Sequence, residues 1–195
     1  MQQSSSTIMN MIQSAIPRQF CSSQIIFVRS DDLDIGYFSE KYQPDIVVMN
    51  VGAHYHNLTV FEADAIKMFE KIDGVKLAQS EQNLKDIKFV WKTSNPGHLD
   101  CDFSPNATNS YSPPAADQDR FDWRFFVQYD TLMDSMTAAH NMDVIDMTPL
   151  YYRPDGHPGK SAWGWHKTGG DCLHYCLPGP LDIFATLLMQ YLMDE

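Results

Sequence analysis

The chain has 195 residues, with 14 Lys+Arg against 25 Asp+Glu and a net charge of −11 with His neutral. That acid excess excludes a nucleic-acid binder or an anionic-membrane ligand, both of which need a basic footprint, and 44% hydrophobic residues exclude a disordered chain. The length suits roughly one domain, and no apolar stretch reaches the roughly 18 residues of a membrane span.

In chain order, residues 1–20 read as a poorly defined segment without the basic start and apolar core of a signal peptide. Residues 21–195 read as one domain. Gln24–Arg29 is a short apolar run ending in a Ser-Asp-Asp turn signal, and is expected to be a strand. Asp45–Asn50 is apolar on consecutive residues, as a strand buried on both faces is. Val60–Ile72 repeats Phe61, Ala65, Met68, Phe69 and Ile72 at helical spacing. Ile87–Lys92 is expected to be a third strand, Arg120–Met142 a second helix, Val144–Met147 a fourth strand and Leu181–Met193 a closing helix. Long polar loops are expected at 94–116 and 153–179. Strand–helix alternation implies an α/β fold with a parallel sheet, whose sites lie beyond the carboxyl ends of the strands.

The densest cluster of reactive residues is Asp171-Cys172-Leu173-His174-Tyr175-Cys176. An Asp three residues before a His can accept a hydrogen bond from one ring nitrogen and leave the other as a general base. The pattern is short enough to arise by chance. A competing reading makes Cys172, His174 and Cys176 zinc ligands, with His54 and His56 as a second pair, although structural zinc sites favour Cys-x₂₋₄-Cys spacing. Asn50, at a strand's exit with Gly52 nearby, can donate to an oxyanion or merely cap a turn. Asp155 and His157 form an alternative acid–base pair on a rigid loop. Four cysteines, Cys21, Cys101, Cys172 and Cys176, allow three pairings. With the sequons at Asn57 and Asn106 they point weakly to an oxidising compartment and to glycosylation. Cys101–Cys172 and Cys21–Cys176 are the simplest pairs.

Four stretches in this order resemble the plant trichome-birefringence-like proteins and the PC-esterase domains of the SGNH/GDSL hydrolase superfamily. They are DIVVMNVGAHY at 45–55, WKTSNPGH at 91–98 with Cys101, DVIDMTPLYYRPDGHPG at 143–159 and DCLHYCLPGPLDIF at 171–184. Tyr175 stands where that family usually has Trp. The resemblance implies a three-layer α/β/α fold and a Ser-His-Asp triad. Its acid–base residues fall on Asp171 and His174, and its oxyanion residues on Asn50 and Gly52. His54, His98, Arg153, Asp155 and His157 lie in the matched blocks and are expected to line the substrate groove. The implied activity is transfer or hydrolysis of acetyl groups on polysaccharide hydroxyls in the secretory pathway, in the Golgi lumen or outside the cell. The partners are a polysaccharide or oligosaccharide and an acetyl donor, with no cofactor and no metal.

One departure bears on the mechanism: the family's Gly-Asp-Ser nucleophile block does not occur in these 195 residues. The expectation is therefore a carboxyl-terminal portion without the first strand and helix, the targeting segment and the nucleophile. The alternatives are a catalytically inactive carbohydrate-binding relative and a nonfunctional fragment.

Overall fold

The structure, a computed structural model, describes residues 24–28, 35–50, 55–99, 101, 106–115, 119, 122–159 and 171–193. The chain divides into two compact units, Met1–Asp34 and Ile35–Glu195. The expected boundary at 20/21 lies outside the described residues. In the first unit, residues 24–28 form no strand. Ile25, Phe27 and Val28 are exposed. An apolar run becomes a strand only when cross-strand neighbours cover it, and this one has none among the described residues.

The second unit is α/β. Helix α1 spans Ile35–Tyr42, strand β1 Ile46–Met49, helix α2 Leu58–Gln82, strand β2 Lys88–Lys92, helix α3 Phe126–Ala139, strand β3 Asp143–Ile145 and helix α4 Pro180–Met193. The three strands are parallel in the order β1-β2-β3. The register pairs Val48 with Val90 and Trp91 with Val144. The central strand is β2, whose Phe89, Val90 and Trp91 are buried. Strand β1 lies at an edge of this sheet with Val48 exposed, so its continuous apolar pattern overstates its burial.

Side chains alternate across a sheet, so Lys88, Val90 and Lys92 share the face that α4 covers. There Leu181, Phe184, Leu188 and Tyr191 pack on Val90, Ile145, Met147, Leu150 and Tyr175. The two lysines lay their ammonium groups against α4 rings, Lys88 4.7 Å from the Tyr191 centroid and Lys92 5.4 Å from that of Phe184. Phe89 and Trp91 point to the opposite face. Helix α2 packs on α3, with the Phe61 and Tyr129 rings 4.3 Å apart, and α3 in turn touches β3.

Helix α2 starts where expected and runs ten residues longer. Asn57 caps it, accepting from Thr59 N at 2.8 Å and Val60 N at 3.2 Å. Gly74 costs about 1 kcal/mol relative to Ala in a helix interior, which does not end the helix, and the left-handed Asn83 (φ 52°) does. Buried Gln79 explains the extension, because its Oε1 accepts from Ile87 N at 3.3 Å and fastens the last turn to the approach to β2. Helix α3 is shorter than expected at both ends. Asp119 accepts from Trp123 N and Arg124 N at 2.9 and 2.8 Å and nucleates a 3₁₀ turn, Trp123–Phe125, ahead of it. Left-handed Asn141 (φ 49°) follows its end. Helix α1 has no expected counterpart. Its eight residues are few for a periodic pattern and include Gly36, a poor helix former.

The loop after β2 is fitted closely. A Cβ on Gly97 would stand 2.3 Å from the Trp123 ring, and Trp123 is buried. Gly97→Ala is expected to destabilise the fold by about 1–3 kcal/mol through overpacking, read as a lower urea midpoint at unchanged slope. An unchanged midpoint would show that the ring moves freely.

Candidate functional site

Three segments converge beyond the carboxyl ends of β2 and β3: residues 93–98, 151–159 and 171–176. His98 N donates to Cys172 O at 2.9 Å, and Cys176 N donates to Gly156 O at 2.9 Å. Gly159 and Asp171 exchange two backbone bonds of 3.1 and 2.9 Å. Tyr175 OH donates to Pro96 O at 2.9 Å. A Cβ on Gly156 would stand 2.9 Å from Tyr175 Cδ1, so the approach of these segments requires glycine there. The Cys101–Cys172 disulfide closes the arrangement. Cys172 is thus committed, and the Cys172–His174–Cys176 zinc reading is corrected. Cys176 is a free, exposed thiol, and Cys21 lies outside the described residues.

Within this frame Asp171 uses both carboxylate oxygens. Oδ1 accepts from Leu173 N at 3.1 Å and His174 N at 3.0 Å, and Oδ2 accepts from His174 Nδ1 at 2.8 Å. Burial pulls its pKa upward, but these bonds outweigh it and hold the carboxyl below the usual carboxylate range. The His174 side chain is 78% exposed. Its Nδ1 donates to Asp171, so in the neutral ring Nε2 is the acceptor and is open to solvent. This is the geometry of an oriented general base.

Asn50 stands at the exit of β1, with its Nδ2 donating to Lys92 O at 2.8 Å and Thr93 O at 3.4 Å. It is held against the end of β2, and no hydrogen bond joins it to Asp171 or His174 among the described residues. Gly52 and His54 lie outside the described residues.

The other expected groove residues are used differently. Arg153 and Asp155 form a two-pronged pair at 2.8 and 3.0 Å. The hydrogen bonds from Arg153 hold Asp155 below the usual carboxylate range. Asp155 therefore serves Arg153, and the alternative Asp155–His157 pair does not form. His98 and His157 are buried, with His98 Nδ1 2.7 Å from His157 Nε2. The outer nitrogens face carbonyls, His98 Nε2 that of Tyr151 at 3.0 Å and His157 Nδ1 that of His174 at 2.7 Å. All four ring nitrogens are engaged inside the protein, so the two histidines frame the loop rather than line a groove.

Two groups at the site escape sequence reasoning. Lys92, whose carbonyl Asn50 holds, is buried and donates to Thr93 O and Asn95 Oδ1, each at 2.9 Å. Burial lowers its ammonium pKa to about 8. A lysine ending an apolar strand is its only sequence signal. Asp130, buried on α3, accepts from Ser94 N at 2.9 Å and Tyr151 OH at 2.8 Å. Burial raises its carboxyl pKa against those bonds. It joins the loop after β2 to the residue whose carbonyl anchors His98, a link across 36 residues that no local pattern encodes.

Residues 38–191 match the PC-Esterase model, described as a GDSL/SGNH-like acyl-esterase family found in Pmr5 and Cas1p. Xyloglucan O-acetyltransferase 4 of Populus trichocarpa is 31% identical over 120 residues, covering 55% of this chain and 28% of that protein. Xyloglucan O-acetyltransferase 2 of Arabidopsis thaliana is 29% identical over 126 residues, 58% of this chain and 30% of that protein. Protein trichome birefringence-like 25 of Arabidopsis thaliana is 21% identical over 217 residues, 87% of this chain and 46% of that protein. The matched region spans less than half the length of each of these relatives. No solved structure matches.

Proposed function

This chain belongs to the PC-esterase family, and from that premise we propose that it supplies the acid–base pair of an enzyme that moves acetyl groups on polysaccharide hydroxyls. The observation that carries the reading is the 2.8 Å bond from His174 Nδ1 to Asp171 Oδ2 beneath an exposed ring. A hydroxyl nucleophile gives its proton to His174 Nε2 as its oxygen attacks the acetyl carbonyl. The imidazolium returns that proton to the departing donor oxygen, leaving an acetyl ester on the nucleophile. A sugar hydroxyl or water then loses its proton to Nε2 and attacks the ester, and the proton passes to the released nucleophile oxygen. Asp171 keeps one tautomer throughout and stabilises the imidazolium. Asn50 and Gly52 are the oxyanion donors in this reading, Asn50 by exchanging its long bond to Thr93 O for one to the oxyanion.

The names of the acetyltransferase relatives favour transfer over hydrolysis and make xyloglucan the first acceptor to try. The Cys101–Cys172 bridge and the exposed sequon residues Asn57 and Asn106 favour the secretory pathway, an oxidising compartment. The test is incubation of the full-length protein with an acetyl-ester donor and xyloglucan oligosaccharides, followed by mass spectrometry. The expected result is an acetyl ester on the oligosaccharide. Neither transfer nor hydrolysis by a folded, glycan-binding protein would overturn it. That outcome belongs to the second reading, an inactive carbohydrate-binding relative.

A further inference from the structure

The proton count of the buried histidine pair does not close with two neutral rings. A carbonyl only accepts, so the bond to Tyr151 O requires a proton on His98 Nε2, and the bond to His174 O requires one on His157 Nδ1. If both rings are neutral, His98 Nδ1 and His157 Nε2 meet lone pair to lone pair at 2.7 Å. One further proton between them satisfies all four nitrogens. We infer that His98 and His157 share a single proton and act as positioning residues for the Asp171–His174 segment.

The placement gives that proton leverage. His98 N holds Cys172 O, and His157 Nδ1 holds His174 O. The pair therefore grips the backbone on both sides of Leu173, between the proposed acid–base residues. Removing the shared proton leaves two acceptors facing each other, and one carbonyl anchor must be released for a ring to change tautomer. Adding a second sets two N–H groups and two charges against each other. Burial lowers both rings, His98 below its ordinary value and His157, which also feels the charge of His98, to about 4, so the first proton enters below the ordinary histidine value and the second resists entry. Among the described residues, the groups facing the pair are few. The Tyr175 ring lies 4.2 Å from His157 and the Tyr111 ring 5.5 Å from His98, both centroid to centroid. Asp155, paired with Arg153, and Asp171, paired with His174, supply the negative field that favours the shared cation. Both carboxyls sit below their usual range, and burial lifts both phenols, Tyr111 to about 12. None of the four changes charge near neutrality.

The functional consequence rests on the acyl-transfer reading, whereas the proton count is tested without activity. The test is ¹⁵N and ¹H NMR of the imidazoles of the full chain, with amide hydrogen exchange followed from about pH 4 to pH 9. At about pH 5, below the ordinary histidine value of about 6.5 and above that of His157 at about 4, His98 and His157 are expected to show three protonated nitrogens, one proton being shared and far downfield. The amides of His98 and Cys176 are expected to be protected most in this range and to lose about tenfold or more protection on either side, as charge-assisted bonds are lost. His157→Gln offers His98 Nδ1 a neutral N–H donor, and is expected to abolish that pH dependence. Two singly protonated neutral rings at about pH 5, between the value of His157 and the ordinary histidine value, or protection in the wild-type chain that ignores pH, overturns the inference. If the Gln variant does not fold, the wild-type spectra still decide.

Discussion

His174→Ala in the full-length protein is expected to lower the rate of acetyl transfer by about 10²–10⁴-fold, the usual contribution of a general base. At 1.36 kcal/mol per decade this is about 3–5 kcal/mol of transition-state stabilisation. The structure separates this loss from unfolding. The His174 ring is exposed, and its one side-chain bond among the described residues is to Asp171, so the thermal midpoint should stay within surface-substitution limits, about 0.5 kcal/mol. The loss belongs in kcat, with KM little changed, because the proton moves only as the transition state forms. Asp171→Asn is a sharper probe. A carboxamide rotated to present N–H to the ring would force the proton onto Nε2 and remove the base without removing the imidazole. Its cost to the fold should also be larger, since Asp171 anchors the Leu173 and His174 amides. A wild-type rate in His174→Ala would remove this residue from the mechanism and leave only the oxyanion donors of the proposal standing.

The sequence announces elements and residues in proportion to how local their causes are. Strands β2 and β3 and helix α4 are legible because each carries its own apolar pattern, and Asp171 and His174 because they are neighbours that a family motif also marks. The end of α2 is not legible, because Gln79 acts through Ile87 across a turn rather than through periodicity. Residues 24–28 have strand composition without a strand's partners. His98 and His157 illustrate the limit best. Each reads singly as a polar loop histidine available to substrate, yet they lie 59 residues apart and meet at 2.7 Å. Whether a histidine points into a groove or into another histidine is decided by the fold, and the composition around it, Pro-Gly-His and Asp-Gly-His-Pro, is the same in either case.

Breaking the Cys101–Cys172 bridge is expected to be the largest single loss of stability. It closes a separation of 71 residues, and the chain-entropy model gives about 4 kcal/mol for removing a cross-link of that span from the unfolded ensemble. For a chain of this size that corresponds to a fall of roughly 8–16 °C in Tm. The local effect adds to the global one. Cys172 also accepts from His98 N through its carbonyl, so the bridge and that bond hold the segment carrying Asp171 and His174 against the loop after β2. Calorimetry of a Cys101→Ser/Cys172→Ser variant, made on a Cys176→Ser background to prevent thiol exchange, reads the stability directly. Hydrogen exchange at the His98 and Cys176 amides reads the segment. If the midpoint falls while both amides stay protected, the bridge acts on the unfolded chain alone. If protection falls first, the bridge also positions the acid–base pair, and mild reduction should extinguish activity at temperatures where the sheet is still folded. An unchanged midpoint would mean that the unfolded chain is already compact across residues 101–172 and gains little freedom when the bridge is cut.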